Sequence, residues 1–172
     1  MKNIILYFSR DGQNYSNGKI VNLVCGNTQI AAEFIRDITG ADMFQIEARD
    51  SYPADYYECT DVAKEQMNAD MRPELKQWPN FNTAQYDTIY LGYPIWWGTF
   101  PMVMFTMLEH YDWAGKTIMP FCTHEGSALG HSESDIRRIC RGANVMRGLA
   151  IHGADVQNSR DKIEKWIRDA GL

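Results

Sequence analysis

Cysteine is scarce and unpatterned. The 172 residues hold four, Cys25, Cys59, Cys122 and Cys140, with no Cys-x-x-Cys pair among them. That excludes a disulfide framework and a zinc-finger type of site, and points to free thiols in a reducing compartment. The four histidines, His110, His124, His131 and His152, show no ligand spacing either, so no metal is expected. Positive charge is also in short supply. Seventeen Lys and Arg stand against 22 Asp and Glu, for a net charge of −5, whereas nucleic-acid binders carry a basic patch or stripe. Long apolar runs are missing. The most apolar stretch, residues 94–108, is interrupted by Gly98 and Pro101 and falls short of the roughly 20 residues a spanning helix needs. Ile4–Phe8 is too short for a signal-peptide core. The expectation is a cytoplasmic protein without nucleic-acid or membrane contacts. No Gly-x-x-x-x-Gly-Lys and no Gly-x-Gly-x-x-Gly occurs, so a P-loop and a dinucleotide fingerprint lack support.

What is present is an alternation of strand and helix patterns consistent with one domain over residues 1–172. Ile4 to Phe8 and Thr88 to Leu91 are continuous apolar runs, as in strands buried on both faces. Phe44 and Ile46 alternate with polar neighbours, which suits an edge strand. Thr117 to Phe121 is the next strand, with Pro120 expected at its end, and Val145 to Ile151 is the last. Helical spacing covers Thr28 to Ile38, closed by Gly40, and a further helix is expected over 54–71. Thr99 is expected to cap an apolar helix carrying Pro101 in its first turn, Ser132 a helix ending near Gly142, and Ser159 a final helix with Ile163, Trp166, Ile167 and Ala170 inward. Five strands and about five helices in alternation imply an α/β sandwich with a parallel sheet.

Ligands of open parallel sheets bind beyond the carboxyl ends of the strands, and three loops there have unusual composition. The first begins Ser9-Arg10 and ends Gly26-Asn27-Thr28 at a helix start, where hydroxyls, amides and free backbone N–H groups can cradle a phosphate. Taken alone, an N-cap role for Asn27 or Thr28 is the simpler account. The second is Pro94-Ile95-Trp96-Trp97-Gly98, whose paired tryptophans need a surface to cover, either a neighbouring core or a planar ligand. The third is Thr123-His124-Glu125-Gly126-Ser127, small and polar, with a glycine that permits close backbone approach. Ser127 lacks the Gly-x-Ser-x-Gly context of a hydrolase. His124 alone reads first as a structural histidine.

Together the three loops resemble the flavodoxin family over nearly the whole chain. Ser9-Arg10 and Gly26-Asn27-Thr28 resemble the two ends of the family's Ser/Thr-x-Thr-Gly-x-Thr phosphate loop. Tyr93 to Gly98 is similar to the Tyr-Pro-x-Trp-Trp-Gly loop of a subgroup, and Thr123 to Ser127 to that subgroup's second flavin loop. The resemblance implies a three-layer sandwich with strand order 2-1-3-4-5 and helices on both faces. It also implies one FMN, placed by family likeness at the switch point of the sheet. Ser9, Arg10, Asn27 and Thr28 would hold its phosphate. Pro94, Ile95, Trp96, Trp97 and Gly98 would line one side of its ring, and Thr123, His124, Glu125, Gly126 and Ser127 the other. No residue is assigned catalysis, since the flavin does the chemistry. The implied function is electron transfer with a reductase and an acceptor protein as partners, by a monomer or weak homodimer. The alternatives are an NAD(P)H-dependent quinone or nitro-compound reductase on the same fold and, less favoured, an apo interaction module.

Two departures from the family pattern stand out. Residues 11–25 occupy the place of a single residue, and Asn17-Gly18 within them signals a hairpin. A phosphate loop at Gly12-Gln13-Asn14 is rejected because no helix pattern follows Asn14. In addition, the Thr123–Ser127 loop lacks the tyrosine that often stacks on the flavin, and Thr99 stands where some members have an acid.

Overall fold

The structure, a computed structural model, describes residues 2–80 and 82–172. In chain order it contains β1 (Asn3–Tyr7), β2 (Gly12–Ser16), β3 (Lys19–Leu23), α1 (Asn27–Thr39), β4 (Asp42–Gln45), α2 (Tyr56–Asn68), β5 (Thr88–Pro94) and α3 (Met102–His110). These are followed by β6 (Thr117–His124), α4 (Ser132–Ile139), β7 (Asn144–Val145), β8 (Leu149–His152) and α5 (Arg160–Asp169). The central sheet runs β4-β1-β5-β6-β7, with β8 also on β6, and every pairing in it is parallel. Counting β7 and β8 as one broken strand, this is the order 2-1-3-4-5.

The continuous apolar runs follow from coverage on both faces. Successive side chains of a strand alternate between faces, and here each face has its own core. Ile4, Leu6, Ile89, Leu91, Tyr93 and Ile118 join the core that includes α3. Ile5, Tyr7, Tyr90, Met119 and Phe121 join Ala31, Ala32 and Ile35 of α1 and Ile163 and Ile167 of α5 on the other side. β4 is an edge strand paired only with β1, which explains its half-exposed alternation. α1 ends where Gly40 adopts φ 68° and its amide bonds the Arg36 carbonyl at 2.8 Å, a left-handed stop that glycine takes without a Cβ penalty.

Several expected boundaries shift. Thr99 caps nothing. α3 begins at Met102 after Pro101, and the Thr99 hydroxyl instead donates to Asp135 Oδ2 at 2.7 Å. Ser132 lies inside α4 as its first residue, with its Oγ bonded to the Leu129 carbonyl and the Tyr93 hydroxyl. Ser159 stands at the N-cap position of α5, but its hydroxyl bonds back to Val156. α2 covers 56–68, narrower than 54–71, because Asp55 caps it by accepting from the Glu58 amide at 3.0 Å.

Pro120 does not end its strand. Even-numbered residues of β6 turn their backbone polar groups toward β7 and β8, as the bonds Asn144 N to Lys116 O and Met146 N to Ile118 O show. Pro120 therefore meets the gap between Val145 and Leu149, where no ladder bond is required of it. That gap also splits the expected 145–151 strand in two, and Gly148 inside it gives its amide to the Glu133 carboxylate.

Gly92 and Phe121 sit opposite one another in the β5–β6 ladder, and a Cβ on Gly92 would lie 2.2 Å from Phe121 Cζ. Phe121 is fully buried, so its ring has nowhere to go. Gly92→Ala should cost about 1–3 kcal/mol of folding stability by overpacking, read from urea denaturation. Adding Phe121→Leu should recover part of that loss, and a Gly92→Ala protein as stable as wild type would show that the ring can yield.

Candidate functional site

The three loops converge at the carboxyl end of the sheet and are tied to one another. At the start of α1, Gly26 packs so closely that a Cβ would lie 2.2 Å from Ser9 Oγ and 2.6 Å from the Arg10 carbonyl. The Ser9 hydroxyl accepts the Gln29 amide at 3.1 Å and keeps its own hydrogen to donate. The amides of Asn27 and Thr28 meet no acceptor among the described residues. These are the orphan donors of a helix N-terminus, oriented to receive an anion. The N-cap is Gly26, with no side-chain capping bond, so neither Asn27 nor Thr28 is occupied as a cap.

The Thr28 and Thr123 hydroxyls form a 2.8 Å hydrogen bond in a buried position, which joins the first loop to the third. The Thr123 carbonyl in turn receives the Ile95 amide at 3.0 Å, which joins the third loop to the second.

The second loop folds back on itself. Trp96 N bonds the Thr99 carbonyl at 2.7 Å, and Trp97 and Gly98 between them have φ of 56° and 88°. Two successive positive φ values mark a type I′ turn. The Gly98 carbonyl is held by the His131 amide at 2.8 Å, and Gly130 approaches so closely that a Cβ there would lie 2.1 Å from that oxygen. Trp96 is wedged edge-on against Phe8 and Tyr52, with ring centroids 5.2 and 5.0 Å away. Trp97 is 46% exposed and leans on α2, where its indole N–H donates to the Thr60 carbonyl and the Lys64 ammonium lies over its ring. One tryptophan of the pair thus covers the core, and the other faces outward.

Beside them opens a cleft of about 520 Å³, within the range of small-molecule sites. Ile95, Trp96 and Trp97 line it from the second loop, and Arg10 from the first. Tyr56, Tyr57, Cys59, Thr60 and Ala63 line it from α2, and Asn14 and Tyr15 from the β2–β3 hairpin. Residues 11–25 form that hairpin, turning at Asn17 and Gly18 with φ of 49° and 83°. Burial, with smaller contributions from Cys59, Tyr15, Tyr57 and Glu125, pushes the Tyr56 phenol up. Burial likewise raises the Cys59 thiol, which leaves it a poor nucleophile.

Not every expected residue faces this cleft. Arg10 does line it, but its guanidinium gives Nε and Nη2 to three main-chain carbonyls, of Gln13 (3.0 Å), Pro53 (2.8 Å) and Ala54 (3.0 Å), and so braces the hairpin, while Nη1 has no hydrogen-bond partner among the described residues. None of Thr123 to Ser127 lines the cleft. His124 accepts the Gly126 amide on Nδ1 and lines a separate shallow cleft with His152, Asp155 and Lys162. Glu125 accepts the Asn17 amide at 3.1 Å and lies 3.6 Å from His152 Nε2, so it holds the hairpin turn. Conversely, the hairpin and α2 tyrosines escape a reading confined to the loops that follow strands. The available cue was Tyr15, two residues before the Asn17-Gly18 turn.

The flavodoxin family model matches residues 18–170. A candidate flavoprotein from Bacteroides uniformis ATCC 8492 is 28% identical, with 97% of each chain covered and a TM-score of 0.75. A flavoprotein from Lactobacillus acidophilus NCFM, solved in complex with FMN, is 23% identical over 91% of this chain and 97% of that one, with a TM-score of 0.63. The apo form of an NADH:FMN oxidoreductase shares the fold at 13% identity and a TM-score of 0.54, over 99% of this chain and 90% of that one. No curated protein sequence is significantly similar.

Burial and the neighbouring His152, against a smaller opposing effect of Glu125, hold His124 below its ordinary pKa of 6.5. The unfolded chain then takes up this proton first. The contribution to stability is complete above about pH 6.5 and declines as the pH falls below it. His124→Gln should flatten that part of the decline in Tm between about pH 7 and pH 5. Superimposable profiles for variant and wild type would show that His124 carries none of it.

Proposed function

The chain belongs to the flavodoxin family, and from that premise we propose that it binds one FMN without a covalent link and passes electrons between partner proteins. The observation that carries this reading is the pair of acceptorless amides at Asn27 and Thr28, packed through Gly26 against Arg10, which itself lines the aromatic cleft of about 520 Å³. The donor set fits a phosphate monoester attached to a planar ring. Gly26 closes the loop tightly, Ser9 keeps a free hydroxyl hydrogen, and the α1 dipole favours negative charge at this end. The Thr28–Thr123 pair consumes one hydroxyl hydrogen and leaves the other to donate. Arg10 contributes by fixing the loop. The Trp97 side of the cleft offers a face for the ring, and the bound flavin would supply the redox chemistry.

No side chain in the cleft is poised as an acid, base or nucleophile, with Cys59 and Tyr56 both held in their neutral forms. A carrier takes its electrons from a separate reductase, and the net charge of −5 suits basic partners.

Purified protein should be yellow, and heating should release FMN and no FAD. A colourless protein that takes up no added FMN would overturn the proposal. Ser9→Ala should weaken FMN binding by about 1.5–3 kcal/mol, the value of a hydrogen bond to a charged group. Riboflavin, which lacks the phosphate, should lose far less. Equal losses for both ligands would move the phosphate elsewhere. Steady oxidation of NADH or NADPH by the pure protein with a quinone present would replace the carrier by the reductase.

A further inference from the structure

The third loop carries no Phe, Tyr or Trp, and none of its residues lines the cleft. Aromatic surface is nonetheless present there, on an element outside the alternating strands and helices. The β2–β3 hairpin places Tyr15 on the cleft, where its ring stacks on Tyr56 of α2 with centroids 5.8 Å apart and planes 26° apart.

The hairpin is fastened at three points that make this placement rigid. Arg10 binds carbonyls on both sides of the cleft, from Gln13 in the hairpin and from Pro53 and Ala54 just before α2. Gln13 Oε1 accepts the Tyr56 amide at 2.8 Å, so the strand next to Tyr15 is bonded directly to the helix that carries its stacking partner. At the far end, the Asn17 amide is bonded to Glu125. Tyr15 itself remains 37% exposed. A large aromatic ring held open at the rim of a cleft, backed by a second ring, is preorganised to accept a third.

We propose that Tyr15, backed by Tyr56, is the stacking residue for the aromatic ring of the bound flavin, so that the hairpin furnishes one wall of the ring site. This rests on the FMN reading above. It assigns the ring and the phosphate to different groups. Tyr15 touches the ring alone and serves FMN and riboflavin equally, whereas the Ser9 hydroxyl and the Asn27 main-chain amide serve only the ligand with a phosphate.

The test titrates the apoprotein with FMN and with riboflavin and follows the quenching of flavin fluorescence. Tyr15→Phe should bind both flavins within about twofold of wild type, since the ring is retained. Tyr15→Ala should raise both dissociation constants by about tenfold, the order expected when stacking and its buried area are lost, and should leave the bound flavin brighter. Tyr15→Leu keeps the bulk and the hairpin but not the ring, and should behave like Tyr15→Ala. Leucine binding as tightly as wild type would reduce Tyr15 to apolar cover and overturn the proposal. A Tyr15→Ala protein with unchanged constants, or one weakened for FMN alone, would overturn it as well. Wild type that binds neither flavin would instead bring down the FMN reading on which the proposal stands.

Discussion

The buried hydrogen bond between Thr28 and Thr123 is the joint on which the site depends. It connects the first turn of α1 to the carboxyl end of β6, 95 residues apart in sequence, at 2.8 Å. Through the Thr123 carbonyl the same residue also holds Ile95, and with it the start of the tryptophan loop. Three loops are thereby fixed relative to one another by two bonds at one residue. Both threonines are 5% exposed or less, so removing one hydroxyl leaves the other short of a partner, a loss of about 1–3 kcal/mol. Valine would match the shape at either position but not the bond, and the relative placement of α1 and the cleft would loosen.

The tryptophan loop is held by different means. Trp97 adopts a left-handed conformation that costs a non-glycine residue roughly 1–2 kcal/mol. Around it, the Trp96–Thr99 bond closes the turn, the His131 amide grips the Gly98 carbonyl, and the Thr60 carbonyl receives the indole N–H. Asp135 completes the brace from α4, since it bonds both the Thr99 hydroxyl and the His131 ring. Strain of this kind persists where the surroundings over-determine it, and it tends to collect at binding sites. Here it turns the side chain of Trp97 away from the core that Trp96 fills, toward α2 and the cleft. The Trp97 carbonyl and the Gly98 amide are left without partners among the described residues.

The architecture was legible because burial on both faces writes itself as continuous apolar runs. Ile4 to Phe8 and Thr88 to Leu91 needed no further information. Boundaries were harder, because they are set by partners distant in sequence. Thr99 looks like a cap until Asp135 is brought beside it, and Pro120 looks like a strand end until β7 and β8 leave it a gap. The site divides in the same way. The loops after β1, β5 and β6 were visible because their composition departs from that of the strands they follow. The roles within them were less so. Arg10 reads as an anion ligand in sequence, and folding adds a second role for it, since its Nη2 bonds the carbonyls of Pro53 and Ala54. Tyr15 and Tyr56 reach one another by the same route.

The hairpin and the bare third loop are two sides of one arrangement. In an open α/β sheet a ligand at the switch point is held by the loops beyond the strands, and each wall of the site must come from some element nearby. Here Glu125 gives its carboxylate to the turn of the hairpin, and Gly126 and Ser127 are too small to cover a ring. The third loop serves as an anchor, and the fifteen-residue segment it anchors brings the aromatic side chain to the cleft. Such a segment is a feasible addition because loop length itself costs little entropy, while its antiparallel pairing from Gly12 to Leu23 satisfies the backbone groups that the two strands turn toward each other. A hairpin of two strands is marginal in isolation, and it is held in place by the contacts of Arg10, Gln13 and Asn17 together with the Tyr15–Tyr56 stack. Two of those contacts end on Tyr56, which lines the cleft, and on Glu125 of the third loop. The order of the hairpin and the order of the site are therefore coupled, and whatever strengthens one strengthens the other.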